Sequence, residues 1–100
     1  MKVITICGSM KYKDEMDKIA QDLIFNGNCV LLPNNISINK ESLSNEQIDI
    51  LKKIHLKKIE ISDSILVMDI NHYIGESTKK EIEFAKRLNK EIIYYSDKEN

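Results

Sequence analysis

Nothing in this sequence supplies a membrane span, a basic surface or a disulfide framework. Its longest apolar runs fall far short of the roughly 20 residues needed to cross a bilayer. Lysine plus arginine number 15 against 16 acidic residues, and the resulting net charge of -1 excludes a general binder of polymeric nucleic acid or membrane surfaces. Two cysteines, Cys7 and Cys29, are too few for a disulfide framework; both lie in apolar runs and are expected to be reduced in a cytoplasmic protein. The two cysteines and two histidines show no metal-ligand spacing, so neither a metal nor another cofactor is expected. Arg87 is the only arginine, which leaves any anion site to backbone amides, hydroxyls or lysines. The spaced glycines of a dinucleotide fingerprint are missing, as is the Gly-Lys-Ser/Thr of a Walker loop. No acidic pair follows the first apolar run, where the Mg²⁺ site of a phospho-acceptor domain would need one. Repeats, low-complexity tracts and linkers are absent too. The amino end, Met1 to Cys7, is too short for a secretory signal and reads as a strand.

What is present is the composition of one folded domain over residues 1–100, with 42% hydrophobic and 31% charged residues. Four short apolar runs alternate with three helical patterns. The runs are Val3 to Cys7, Cys29 to Leu32, Ile65 to Met68 and Ile92 to Tyr95. They are nearly continuous, as expected for strands covered on both faces. Met16, Ile19, Ala20, Leu23 and Ile24 recur at helical spacing, and Asn26-Gly27-Asn28 ends that helix, with Gly27 suited to a left-handed cap. Ser44-Asn45-Glu46-Gln47 is a capping-box pattern that opens a second helix running to about Ile61. Ile48, Leu51, His55 and Ile59 share its inward face. The third helix buries Ile82, Ala85 and Leu88, with Phe84 beside them, and ends near Asn89. One helix between each pair of strands implies parallel strands and right-handed crossovers. The expected fold is therefore α/β, a minimal Rossmann-like three-layer sandwich with four strands in the order 2-1-3-4.

In such a sheet ligands bind beyond the carboxyl ends of the strands, where the order reverses. That places Gly8-Ser9-Met10, Pro33-Asn34-Asn35 and Asp69-Ile70-Asn71 with the loop to Glu81 around one crevice. Gly8 and Ser9 read either as a phosphate cradle at a helix amino terminus or as a plain turn and cap. Pro33 to Leu43, rich in Asn and Ser, reads as a ligand-side loop or short lid. Glu81 is expected in the first turn of the third helix, where the helix dipole favours an ionised carboxylate able to act on a glycosidic bond. Thr78-Lys79-Lys80-Glu81 is also a capping-box pattern, under which Glu81 only satisfies a backbone donor. His55 is either a core residue or an acid–base group facing the crevice. Asp63 is expected to cap the turn into the third strand. Asp69 either binds a sugar hydroxyl or terminates that strand, and His72 and Tyr73 are exposed, Tyr73 being suited to stacking on a base.

Three segments together resemble the nucleoside 2-deoxyribosyltransferase family, and within it the 2'-deoxynucleoside 5'-monophosphate N-glycosidases and their small relatives. They are Ile6-Cys7-Gly8-Ser9-Met10-Lys11, His55 through Asp63 to Met68, and Tyr73 to Ala85, so the likeness covers nearly the whole chain. The resemblance implies that Glu81 is the catalytic glutamate and that Gly8, Ser9, Met10 and Ser77 hold a phosphate. His55 stands where the family carries a second carboxylate, and Gly75 where the transferases carry a sugar-binding aspartate. The implied activity is cleavage of the N-glycosidic bond of a (deoxy)nucleoside 5'-monophosphate, by hydrolysis or base transfer, in a homodimer. A module that only binds a nucleotide or nucleotide-derived signal is the alternative that the His55 departure favours.

Overall fold

The computed structural model describes residues 1–34 and 40–98. Four strands, β1 (Val3–Cys7), β2 (Cys29–Leu31), β3 (Ser64–Val67) and β4 (Glu91–Tyr94), form one sheet in the order β2-β1-β3-β4. Every pairing is parallel, as the strand–helix alternation requires. The crossovers are α1 (Lys13–Phe25), α2 (Asn45–Glu60) and α3 (Glu76–Arg87). A single further turn, α4 (Tyr95–Lys98), follows β4, where the sequence pattern gave no helix.

Alternation along the central strands sorts the core into two halves. Ile4 and Ile6 of β1, with Leu66 and Met68, face Met16, Ala20 and Leu23 of α1. Cys7, Ile65 and Val67 face the other way, against Ile59 of α2 and Ile82 and Ala85 of α3. The result is three layers. Only β3 is covered throughout, and β1 from Ile4 onward; β2 and β4 are edge strands and remain partly open, contrary to the expectation for the apolar runs.

Local signals explain where the helices begin and end. Ser44 and Gln47 close a reciprocal capping box at α2, with Ser44 Oγ accepting from the Gln47 amide at 3.1 Å and Gln47 Oε1 accepting from the Ser44 amide at 2.9 Å. Gly27 takes φ +89 after α1, the left-handed region that a side chain resists. Ile24 and Leu88 are exposed rather than buried. Ile24 sits at the border of the apolar stripe in the last turn of α1, and Leu88 is already the C-cap of α3, where the chain turns away.

Asp63 does not cap a turn. Its carboxylate accepts from the Val3 amide at 2.8 Å, and its own amide donates to the Val3 carbonyl at 2.8 Å. It clamps β1 to β3 at the amino-terminal edge of the sheet, the edge away from the loops that the fold offers to a ligand.

Candidate active site

At the carboxyl-terminal edge lies an open cavity of about 470 Å³, within the range typical of small-molecule sites. Its floor is Gly8, Ser9 and Met10 after β1; its walls come from Pro33 and Asn34 after β2, Ile48, Leu51, Lys52 and His55 of α2, and Tyr73, Gly75 to Thr78 and Glu81 around the start of α3. Residues 35–39, in the segment expected to form a loop or lid, lie outside the described residues. Lys58 fixes the approach to that segment, its ammonium donating to the Leu32 carbonyl at 2.7 Å and to Asn34 Oδ1 at 2.8 Å. Partial burial pulls the Lys58 pKa below its ordinary value.

Each neighbour of the cavity has a local cause. Gly8 is needed because a methyl group there would lie 2.8 Å from Met68 Cβ and 3.0 Å from Met16 Cε. Its smallness therefore serves strand packing, where the sequence suggested close approach to a ligand. Ser9 caps a short 3₁₀ turn over Met10–Tyr12, its hydroxyl accepting from the Lys11 amide at 3.3 Å. A side chain on Gly75 would meet the Tyr73 hydroxyl at 3.3 Å. The Tyr73 ring lies beneath the Lys11 ammonium, 4.0 Å from nitrogen to ring centre, a cation–π arrangement that holds both groups beside the cavity.

The helix carrying Glu81 begins earlier than the sequence suggested. Gly75 is the N-cap of α3, which puts Glu81 in the second turn and not the first. The dipole effect fades within the first turn, so it is not what positions this carboxylate. The capping reading of Thr78 to Glu81 is also corrected, because the box would need the helix to start at Thr78. Glu81 instead lines the cavity, with Oε1 3.4 Å from His55 Nε2. Because no side chain caps α3, the amides of its first turn, Glu76, Ser77 and Thr78, have no intrahelical acceptor and lie along the cavity wall. That is an anion site ready-made.

His55 is buried, and its Nε2 also lies 3.5 Å from the thiol of Cys7. Its Nδ1 has no hydrogen-bond partner among the described residues. The last residue of β1 thus joins the two side chains singled out from sequence. Strand alternation carries the missed signal: Cys7 shares a face with Thr5, opposite α1, and so must look toward α2 and α3. Burial, then the nearby Glu81 charge and hydrogen bond, push the Cys7 thiol well above its ordinary pKa. The unfolded chain therefore loses this proton first as pH rises through about 8.5, and stability falls from there toward the folded-state pKa by up to about 1.4 kcal/mol per pH unit. Urea unfolding midpoints of wild type and Cys7→Ser, compared from pH 7 to 10, should converge as this slope disappears from the variant. Equal alkaline slopes in both would contradict it.

The structure brings Gly8, Ser9, Met10, His55, Tyr73, Gly75, Ser77 and Glu81 around the one cavity. Asp69 is not among them. Its two oxygens accept from the Ser96 amide at 2.8 Å and the Ser96 hydroxyl at 2.7 Å, so this buried carboxylate anchors α4 and has no oxygen turned to a sugar. Sequence reasoning did not anticipate the buried Thr78 or the apolar wall of Ile48 and Leu51, which serves the cavity and not the core.

No family model matches the sequence, and no curated protein does. Among solved structures the chain is similar to a 2-desoxiribosyltransferase from Leishmania mexicana, with a TM-score of 0.72 at 15% identity, over 95% of this chain and 64% of that one. It is also similar to the CMP N-glycosidase BcmB of Clostridium botulinum, with a TM-score of 0.56 at 21% identity, over 93% of this chain and 67% of that one. The chain thus spans about two-thirds of the length of each. These likenesses show the fold, a Rossmann-like sheet in the order 2-1-3-4. Among the described residues no helix is long and apolar enough to cross a membrane.

Proposed function

We propose that this chain cleaves the N-glycosidic bond of a (deoxy)nucleoside 5'-monophosphate, releasing the base and a sugar 5-phosphate. The observation that carries the reading is a carboxylate, Glu81, facing the same cavity as an uncapped helix amino terminus. A phosphate suits the amides of Glu76, Ser77 and Thr78, with the hydroxyls of Ser9 and Ser77 beside them. Glu81 then attacks or stabilises the anomeric carbon as the bond to the base nitrogen breaks. The departing base takes a proton from His55 or water, and a solvent water then adds its hydroxyl to the anomeric carbon, freeing Glu81 and giving up its other proton. Tyr73, Met10 and Leu51 supply the apolar and aromatic surface that a base requires. The two similar structures, a transferase of deoxyribosyl groups and an N-glycosidase of CMP by their names, support this chemistry.

Incubation of the protein with a panel of ribo- and deoxyribonucleoside 5'-monophosphates should release free base, detected by chromatography, and the matching nucleosides without phosphate should react far more slowly. No base from any nucleotide, with a thermal shift on adding one, would favour the binding-only reading that His55, in place of a second carboxylate, keeps open. A homodimer is part of the same proposal, supported by Ile50 and Ile54, which are exposed one turn apart on α2. Sedimentation should give twice the chain mass; a monomer at the concentrations that support turnover would exclude it.

A further inference from the structure

Three side chains of different chemistry meet beside the cavity, His55 and Glu81 lining it and Cys7 buried behind them: the thiol of Cys7, Nε2 of His55 and a carboxylate oxygen of Glu81 all lie within 4.8 Å of one another. Two of the three edges of this triangle match those of a metal's coordination sphere. Zinc bonded tetrahedrally to sulfur, nitrogen and oxygen at its usual bond lengths sets the S···N edge at about 3.6 Å and the N···O edge at about 3.4 Å. The corresponding distances here are 3.5 Å from Cys7 Sγ to His55 Nε2 and 3.4 Å from His55 Nε2 to Glu81 Oε1. We infer that Cys7, His55 and Glu81 form a three-ligand site for a borderline-soft divalent transition metal, Zn²⁺ foremost, with its fourth position open to the cavity.

Three independent elements fix the ligands: the end of β1, the middle of α2 and the second turn of α3. Cys7 and His55 are buried and cannot swing away, while Glu81 is partly open and can adjust. On binding, the thiol proton passes to solvent, and thiolate plus carboxylate balance the dication, so the loaded site is neutral. Thiolate and imidazole select Zn²⁺ or Co²⁺ over Mg²⁺ and Ca²⁺, which prefer oxygen alone. Three protein ligands and one open position is the pattern of zinc sites that accept an exogenous ligand. Under the reading proposed above, metal and nucleotide exclude each other, because the metal occupies the Glu81 oxygen.

Titration of the reduced full-length chain with CoCl₂ tests the site without any enzymatic assay. One equivalent should produce the visible bands of tetrahedral Co²⁺ with a thiolate-to-cobalt charge-transfer band in the near ultraviolet, and ZnCl₂ should bleach both. Cys7→Ser should remove the charge-transfer band. Glu81→Gln, a change at a partly open position that keeps the fold, should weaken Co²⁺ binding at least roughly tenfold, since even outer-shell partners of metal ligands are worth that much. Cys29→Ser and His72→Ala, at exposed positions away from the cavity, should leave the spectrum unchanged. Absence of the charge-transfer band in wild type would overturn the proposal, as would its persistence in Cys7→Ser or its loss in Cys29→Ser. Nucleotide turnover inhibited by Zn²⁺ in wild type would add the mutual exclusion; a chain that binds Co²⁺ as described yet releases no base would keep the metal site and defeat only the nucleotide reading.

Discussion

Replacing Glu81 by glutamine should lower base release from a nucleoside 5'-monophosphate on the order of 10⁴-fold, as loss of one member of a catalytic group does elsewhere. The side chain keeps its length and can still hydrogen-bond His55, but it carries no charge to meet a cationic sugar and no anion to attack one. A factor of that size corresponds to about 5.5 kcal/mol of transition-state stabilisation. Binding should survive, because the substitution leaves in place the amides of Glu76 to Thr78 that are proposed to hold the phosphate. The expected pattern is a collapse of kcat with KM little changed and the thermal midpoint close to wild type. Turnover in Glu81→Gln within tenfold of wild type would remove Glu81 from the chemistry.

The second large effect is on stability. Leu66→Ala should cost about 3 kcal/mol, the usual range for emptying a packed leucine site. Leu66 is fully buried at the middle of β3, with β1 and β4 on either side and α1 above. Parallel strands hold both neighbours by backbone hydrogen bonds, so the cavity left behind cannot collapse easily. For a domain of this size the loss corresponds to about 15 °C in Tm. Phe25→Ala, at a position 88% exposed on the last turn of α1, is the matched comparison and should change little. A Leu66→Ala variant within 1 kcal/mol of wild type in urea unfolding would mean that the sheet does not carry the core.

What the sequence discloses depends on how local the cause is. The capping box at Ser44 and the left-handed Gly27 are decided within a few residues, and both are found where the spacing puts them. Strand order follows from alternation and handedness, which are also short-range rules. The start of α3 is hidden in the sequence because Gly75 gives no capping side chain to read, and Thr78 to Glu81 imitates one. The role of Asp69 is not legible locally because its partner, Ser96, is 27 residues away and lies on a turn with no apolar period. Asp63 is similar, bonded to Val3 across 60 residues. Cys7 is hidden for a different reason. Its parity on β1 was available, but only the packed helices show that His55 and Glu81 converge upon it.

The arrangement that matters most is a carboxylate and an uncapped helix end on the same cavity. The most direct measurement is a crystal structure of Glu81→Gln with an uncleaved nucleoside 5'-monophosphate bound. The phosphate should sit on the amides of Glu76 to Thr78, and the anomeric carbon should lie beside the residue 81 side chain. A phosphate elsewhere, or a nucleotide whose sugar lies out of reach of residue 81, would contradict the account.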